Sequence, residues 1–262
     1  MARQPLFVPQ TVKRGLLPSI LGLGLAVSLR ATGVDPLLQE ALAAEGRLDT
    51  RQALQRYLQA DVANPNNPFI LQKIARQYSD LATEQPTVEA KRQFAQTALG
   101  FAQRAVALEP GNGVNVLSLA ICHGKLAVYS DTRTKIAYSR LVREEAGQAL
   151  ALAPDYAWAH HVLGRWHYEV ASLGATSRFL VRLLYGGLPD ASVEKGVGYL
   201  QRATELEPDE LNHWLELGFA YAAAGEAASA RKMWQHGLAM ATRGKHDEAA
   251  KQRARDALAR SE

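Results

Sequence analysis

Three histidines and a glutamate crowd one stretch of this chain: His160, His161, His167 and Glu169. These residue types ligate metals, and a catalytic zinc site on a helix wants two histidines four residues apart with a carboxylate beside them. The spacing does not supply that arrangement. His160 and His161 point about 100° apart on a helix, and His167 lies two turns beyond His160. Packing or groove-lining roles fit these rings better than coordination. The lone cysteine, Cys122, follows Ile121 in an apolar run, so no internal disulfide and no cysteine-built metal site is available, and the residue reads as buried filler. The sequence contains no G-x-S-x-G, no Walker phosphate loop, no C-x-x-C and no G-x-G-x-x-G after a strand. The remaining chemistry is recognition. Arg76, Lys125 and Arg165 fall in successive repeats, Arg76 and Arg165 at the same register position and Lys125 one helical turn later, three cations suited to a carboxylate or a phosphate. The expectation is a binding protein without catalytic activity, cofactor or metal.

The elements that must position these residues announce themselves as repeats. Pro65, Pro110, Pro154 and Pro208 each follow an alanine by five residues: Ala60, Ala105, Ala149 and Ala203. Nine and ten residues after each proline comes an apolar-small pair: Ile74-Ala75, Leu119-Ala120, Leu163-Gly164 and Leu217-Gly218. Proline ends one helical hairpin and opens the next because it cannot donate a backbone hydrogen bond within a helix. The small residues let neighbouring helices approach. In the last copy, Trp214-x2-Leu217-Gly218-x2-Tyr221 followed by Ala230-x3-Trp234 matches the tetratricopeptide skeleton. Successive prolines lie 45, 44 and 54 residues apart, longer than the usual repeat of about 34. Long second helices (residues 87–108 and 131–152) and an insertion near 172–189 account for the excess.

The fold class is therefore all-α: a tetratricopeptide-like solenoid of about five helical hairpins, with an inserted short helix and a C-terminal capping helix over 247–260. In such hairpins the first helices line the concave side. Register places Phe69, Arg76, Ile121, Lys125, Trp158, His161, Arg165, Tyr168, Leu215 and Phe219 in the groove as its principal candidates, with Gln72, Ser79, Val114, Leu117, Gly124 and Asn212 beside them, a greasy wall with interspersed cations. Long helices or the insertion filling that groove is the competing reading. The inserted segment SRFLVRLLY (177–185) sets Arg178 and Arg182 four apart among Phe179, Leu180, Leu183 and Leu184. It reads either as a strap packed on the repeats or as a membrane-surface or gating element.

With 47% hydrophobic and 21% charged residues, the chain can bury a continuous core. The net charge of +4 lies wholly in residues 1–34, which hold Arg3, Lys13, Arg14 and Arg30 and no acid. The rest balances at zero, which argues against nucleic acid as a partner. Within the head, residues 16–29 form an apolar run too short to cross a bilayer, for which about 20 residues are needed. A targeting or anchor segment at 1–34 and a repeat domain at 35–262 is the expected organisation. A mitochondrial presequence or short anchor, a secretory signal and a first packed helix compete for the head.

KRGLL at 13–17, IARQYSDLA at 74–82, AIC at 120–122, HHVLGRWHYEVASL at 160–173 and EKGVGYLQRATELEP at 194–208 resemble the regulator of microtubule dynamics family. The similarity runs over nearly the whole chain and is most specific at Gly164, Trp166 and Tyr168. It implies a helical-repeat solenoid without catalytic activity, associated with microtubules, the spindle, mitochondria or organelle contact sites. One branch of the family is tied to phospholipid binding. The match at 13–17 favours a mitochondrial or organelle-associated segment over secretion, and the expected location is mitochondrial or cytoplasmic and cytoskeletal, with peripheral or short N-terminal membrane association. The acidic partner-binding motifs of the contact-site branch are absent, which makes the short branch the closer analogue. Two functions follow as expectations: an interaction scaffold that binds microtubules or other proteins, and a solenoid that binds or transfers anionic phospholipid. Attachment to acidic tubulin tails would need a local basic patch, for which Lys91-Arg92, or Arg133, Lys135, Arg140 and Arg143 on the long second helix of the third repeat, are the candidates.

Overall fold

A computed structural model describes residues 35–260, and the expected targeting or anchor segment at 1–34 lies outside the described residues. Twelve helices and no strand are found among the described residues. They pair as hairpins: α1 (Pro36–Gly46) with α2 (Thr50–Ala63), α3 (Pro68–Ala82) with α4 (Val88–Leu108), and α5 (Gly113–Val128) with α6 (Thr132–Leu152). The fourth hairpin, α7 (Ala157–Ala171) with α9 (Val193–Leu206), is interrupted by α8 (Ala175–Tyr185). The fifth joins α10 (Leu211–Ala223) to α11 (Ala227–Ala239), and α12 (Asp247–Arg260) follows.

The alanine-proline signature has a concrete geometry. Ala60, Ala105, Ala149 and Ala203 are fully buried. Each carbonyl accepts the backbone N–H of the residue just before the proline: Asn64, Glu109, Ala153 and Glu207. Those four cap residues share φ between −130° and −139° and ψ between 73° and 83°. A following proline disfavours the helical region, so the chain must leave the helix there. The same turn is built four times.

Polar caps open the next helices. Asn67, Thr87, Asn112, Asp131 and Ser192 each accept backbone N–H groups of the first turn, satisfying donors that have no partner within the helix. Glycines then set the packing distance at the α7–α9 crossing. A Cβ on Gly196 would lie 2.9 Å from the Gly164 carbonyl oxygen, and one on Gly164 would lie 2.6 Å from Leu200. The interior is a series of apolar layers between hairpins, such as Val116, Leu117, Ala146, Ala149, Ala159 and Leu163. Burying each such leucine contributes about 1.5–3 kcal/mol.

Two features depart from a simple stack of repeats. α8 has no buried residue, and the insertion rests on its neighbours only through half-buried Val181 and Tyr185 and the closing turn. α12 does more than present a polar end: Asp247, Lys251 and Ala254 are buried on its inner side. The turn before α12 reaches back across the array. Lys245 Nζ lies 2.8 Å from Thr50 Oγ1 and 2.5 Å from Glu84 Oε1, and His246 Nε2 lies 2.8 Å from Asp80 Oδ1. In an ordinary solenoid each repeat touches only its neighbours. Here the end of the fifth hairpin is tied to the first two.

Candidate functional site

That closure bounds a solvent-open cavity of about 640 Å³ on the inner face. Its walls come from α3, α5, α7 and α10, with α12 and the turn before it as the far side. Ile121 and Trp158 supply apolar wall, and Gln72 donates through its amide to Ser118 Oγ at 3.2 Å. Ile121 stands out because 43% of its surface is exposed in the middle of a helix otherwise rich in buried residues.

The charged part of the wall centres on Glu216, which is 4% exposed. It accepts hydrogen bonds from Tyr168 Oη and Arg253 Nη2, and Arg165 Nε lies 3.8 Å away. Burial pushes its carboxyl pKa up, but Arg165, Arg253, His161 and the Tyr168 hydroxyl together hold it below the ordinary value. Arg165 also donates to Glu169 at 2.8 Å. The lining holds four basic side chains, Arg76, Arg165, Lys245 and Arg253, against four carboxylates, Asp80, Glu210, Glu216 and Asp247. The wall is thus close to neutral, and Arg76 has a further partner in Glu45 at 3.3 Å.

The histidines of the sequence cluster each hold a structural post. His160 Nε2 donates to the Pro154 carbonyl at 2.9 Å, and His167 Nδ1 accepts from the Ser192 N–H at 3.4 Å. His161 Nδ1 and His213 Nδ1 share one hydrogen bond of 2.9 Å. Burial lowers the pKa of His161 to about 4, and burial together with the neighbouring His161 lowers that of His213 to about 3. Both rings are therefore neutral at pH 7, one donating to the other. Among the described residues no three metal-ligating side chains converge. Cys122 touches the cavity wall but is 2% exposed, and burial pushes its thiol up to about 12.

Gln72, Ser79 and Asn212 line the cavity, and of the ten principal groove candidates Arg76, Ile121, Trp158, His161 and Arg165 do so. The other five lie elsewhere. Leu215 is 1% exposed because Gly237 on α11 leaves a hole that its side chain fills. Phe219 is sandwiched between the Trp234 ring at 5.1 Å and the Arg253 guanidinium at 4.0 Å, under α12. Tyr168 turns its hydroxyl into the Glu216 network and is buried. Phe69 stands at the start of α3 with the Lys73 ammonium 5.5 Å from its ring. Lys125 is half-buried outside the cavity lining, and desolvation holds its pKa below the ordinary value.

The basic face on α6 is smaller than its sequence suggests. Arg140 is spent on the insertion, donating from Nε to the Gly187 carbonyl at 3.0 Å and from Nη2 to the Tyr185 carbonyl. Arg143 lies 5.9 Å from the Trp166 ring, while Arg133 and Lys135 are exposed beside the capping Asp131. Register missed Glu216, Arg253, Lys245 and His246. Glu216 carried a signal, a single acid between Leu215 and Leu217 in an apolar helix. The other three come from outside the hairpin first helices, where repeat register says nothing.

The model of the family described as Regulator of microtubule dynamics protein 1-3 matches residues 37–262. Regulator of microtubule dynamics protein 1 of Pongo abelii is 27% identical over 215 residues, covering 77% of this chain and 67% of the relative. The protein of the same name from Bos taurus is 28% identical over 159 residues, 60% of this chain. This chain spans about half the length of that relative, 49%. Among solved structures, a thermophilic TPR protein of Thermus thermophilus superposes with a TM-score of 0.62 at 20% identity. That likeness covers 85% of this chain and 97% of the other, and it establishes a tetratricopeptide-like solenoid. With its repeats, its all-helical fold and a family match over all but the first 36 residues, the chain belongs to the Regulator of microtubule dynamics protein 1-3 family.

Proposed function

We propose that this protein is a non-catalytic scaffold of microtubule-associated assemblies, and that it holds a segment of tubulin in the cavity on its inner face. One observation carries the reading: side chains from four successive hairpins and from α12 converge on one cavity, with exposed Ile121 amid hydrogen-bonding and charged groups. Its size falls within the range of about 300–1,000 Å³ typical of ligand sites. A mosaic of this kind suits a peptide, which offers apolar side chains and both signs of charge at once. The relatives' name supports microtubules as the setting. An anionic phospholipid is served less well, because the cations at the cavity already face carboxylates, as Arg165 faces Glu169 and Arg253 faces Glu216. A neutral wall gives a phosphate no net charge to meet.

Co-sedimentation of the purified chain with microtubules tests this. Ile121→Glu is expected to weaken pelleting at least about tenfold, since it buries a charge against the partner. Reversing Arg133 and Lys135 together is expected to leave pelleting within about twofold, since these are exposed charges outside the cavity. Wild-type protein that stays in the supernatant contradicts the proposal, as does binding lost with the α6 charges and kept with Ile121→Glu.

A further inference from the structure

α8 exposes an apolar stripe that the cavity reading leaves unused. Phe179 is 64% exposed, Leu180 45%, Leu183 66% and Leu184 60%. At about 100° per residue these four fall within one arc of roughly 140°. Val181 and Tyr185, on the other side, are the half-buried residues of the helix. By the same count Arg182 stands about 60° beyond the Phe179 edge of the stripe and Arg178, one turn before it, about 100° beyond, and the helix contains no acid. Its closing turn is fixed in place: Arg140 holds the Tyr185 and Gly187 carbonyls, and Gly186 takes the left-handed conformation at φ 76°.

We propose that α8 is an interfacial helix that docks this protein on an anionic lipid surface. The stripe would lie about 5–10 Å into the boundary between headgroups and acyl chains, with the two arginines at headgroup level. Charge selects this occupant: two cations and no acid complement an anionic bilayer and are repelled by a second copy of the same helix. Size points the same way. An 11-residue helix is about 16 Å long. Its stripe falls short of the roughly 800 Å² per partner that a stable dimer buries. A lipid interface sets no such minimum, since each inserted methylene adds to binding. Spanning is not implied, because no helix among the described residues is long and apolar enough to cross a membrane.

The test places an environment-sensitive fluorophore on the full chain through Leu183→Cys. Native Cys122, 2% exposed, stays unlabelled. Val62→Cys on α2, at a site 84% exposed, serves as the reference position. Vesicles of phosphatidylcholine containing phosphatidylserine are expected to shift emission at position 183 to the blue, and pure phosphatidylcholine vesicles to do so far less. Position 62 is expected to stay unchanged. Adding Arg178→Glu and Arg182→Glu is expected to raise the half-saturating lipid concentration about thirtyfold or more. All four side chains of the stripe and both arginines are exposed, so circular dichroism should report an intact fold in every variant. No shift at 183, an equal shift at 62, or a shift indifferent to anionic lipid overturns the proposal. A shift at 183 produced by unlabelled protein without vesicles also overturns it, by assigning the face to self-association.

Discussion

The buried imidazole pair makes the acid side of this protein's stability a residue-scale question. His161 and His213 titrate at about 4 and about 3 in the fold, against an ordinary value near 6.5 in the unfolded chain. Between those values the unfolded chain binds more protons, so stability is full above about pH 6.5 and declines as pH falls toward 4. Glu216 acts lower. Its carboxyl is held below 4.5 in the fold, so its contribution is present above that and is lost as pH drops through the folded value. Urea unfolding at about pH 7 and about pH 5 should show a loss approaching 2 kcal/mol per ring. An unchanged midpoint would mean that both rings reach water. Glycine packing gives a second residue-scale expectation. Gly196→Ala pushes a methyl to 2.9 Å from the Gly164 carbonyl and 3.0 Å from the Tyr168 nitrogen, both backbone atoms. It should cost about 1–3 kcal/mol in denaturant melts, and a neutral result would show that α7 and α9 cross farther apart. Gly164 was legible from its place in the repeat signature, whereas Gly196 was not, because nothing in its own helix marks the crossing point. Trp214 shows the opposite error. Its motif position suggests core, yet it is half-buried, donating to the Pro208 carbonyl at 2.8 Å, while Leu217 is the buried member.

At the scale of elements, the hairpins were readable because each is specified locally. The alanine, the extended residue and the proline build one turn within a few positions, and the caps at Asn67, Asn112 and Asp131 open the next helices. α12 was readable as a helix from its charge order, but not where it lies, since docking depends on Ala254 packing with Leu211, Leu215 and Trp234. The same holds for α8. Its amphipathic pattern marks a helix, and only the structure distinguishes a covered stripe from an open one. Because side-chain tethering at its closing turn runs through Arg140, Arg140→Ala should release the helix with little effect elsewhere. Hydrogen exchange should show the amides of 175–185 losing most of their protection, while global stability falls by no more than about 1–2 kcal/mol. Unchanged exchange in that segment would show that Val181 and Tyr185 hold α8 without the arginine.

For the whole molecule, the central claim is that this solenoid closes on itself and makes its site by doing so. Repeat periodicity could not reveal this, because the contacts join residues 161 to 195 positions apart and follow no repeat. Half of the cavity wall was legible in the first helices, and the half supplied by α12 and residues 244–247 was not. Closure also binds the ends into one unit, so unfolding should be more cooperative than in an open array of repeats. The most direct measurement is zero-length carbodiimide cross-linking of the dilute full chain, followed by peptide mass spectrometry. Lys245 and Glu84 sit in ion-pair contact at 2.5 Å and should be joined by an amide bond within a single chain. Abundant Lys245–Glu84 cross-link in monomeric protein is the expected result. Cross-links confined to pairs on the same or adjacent hairpins, such as Lys73 with Glu45, would contradict closure and with it the cavity.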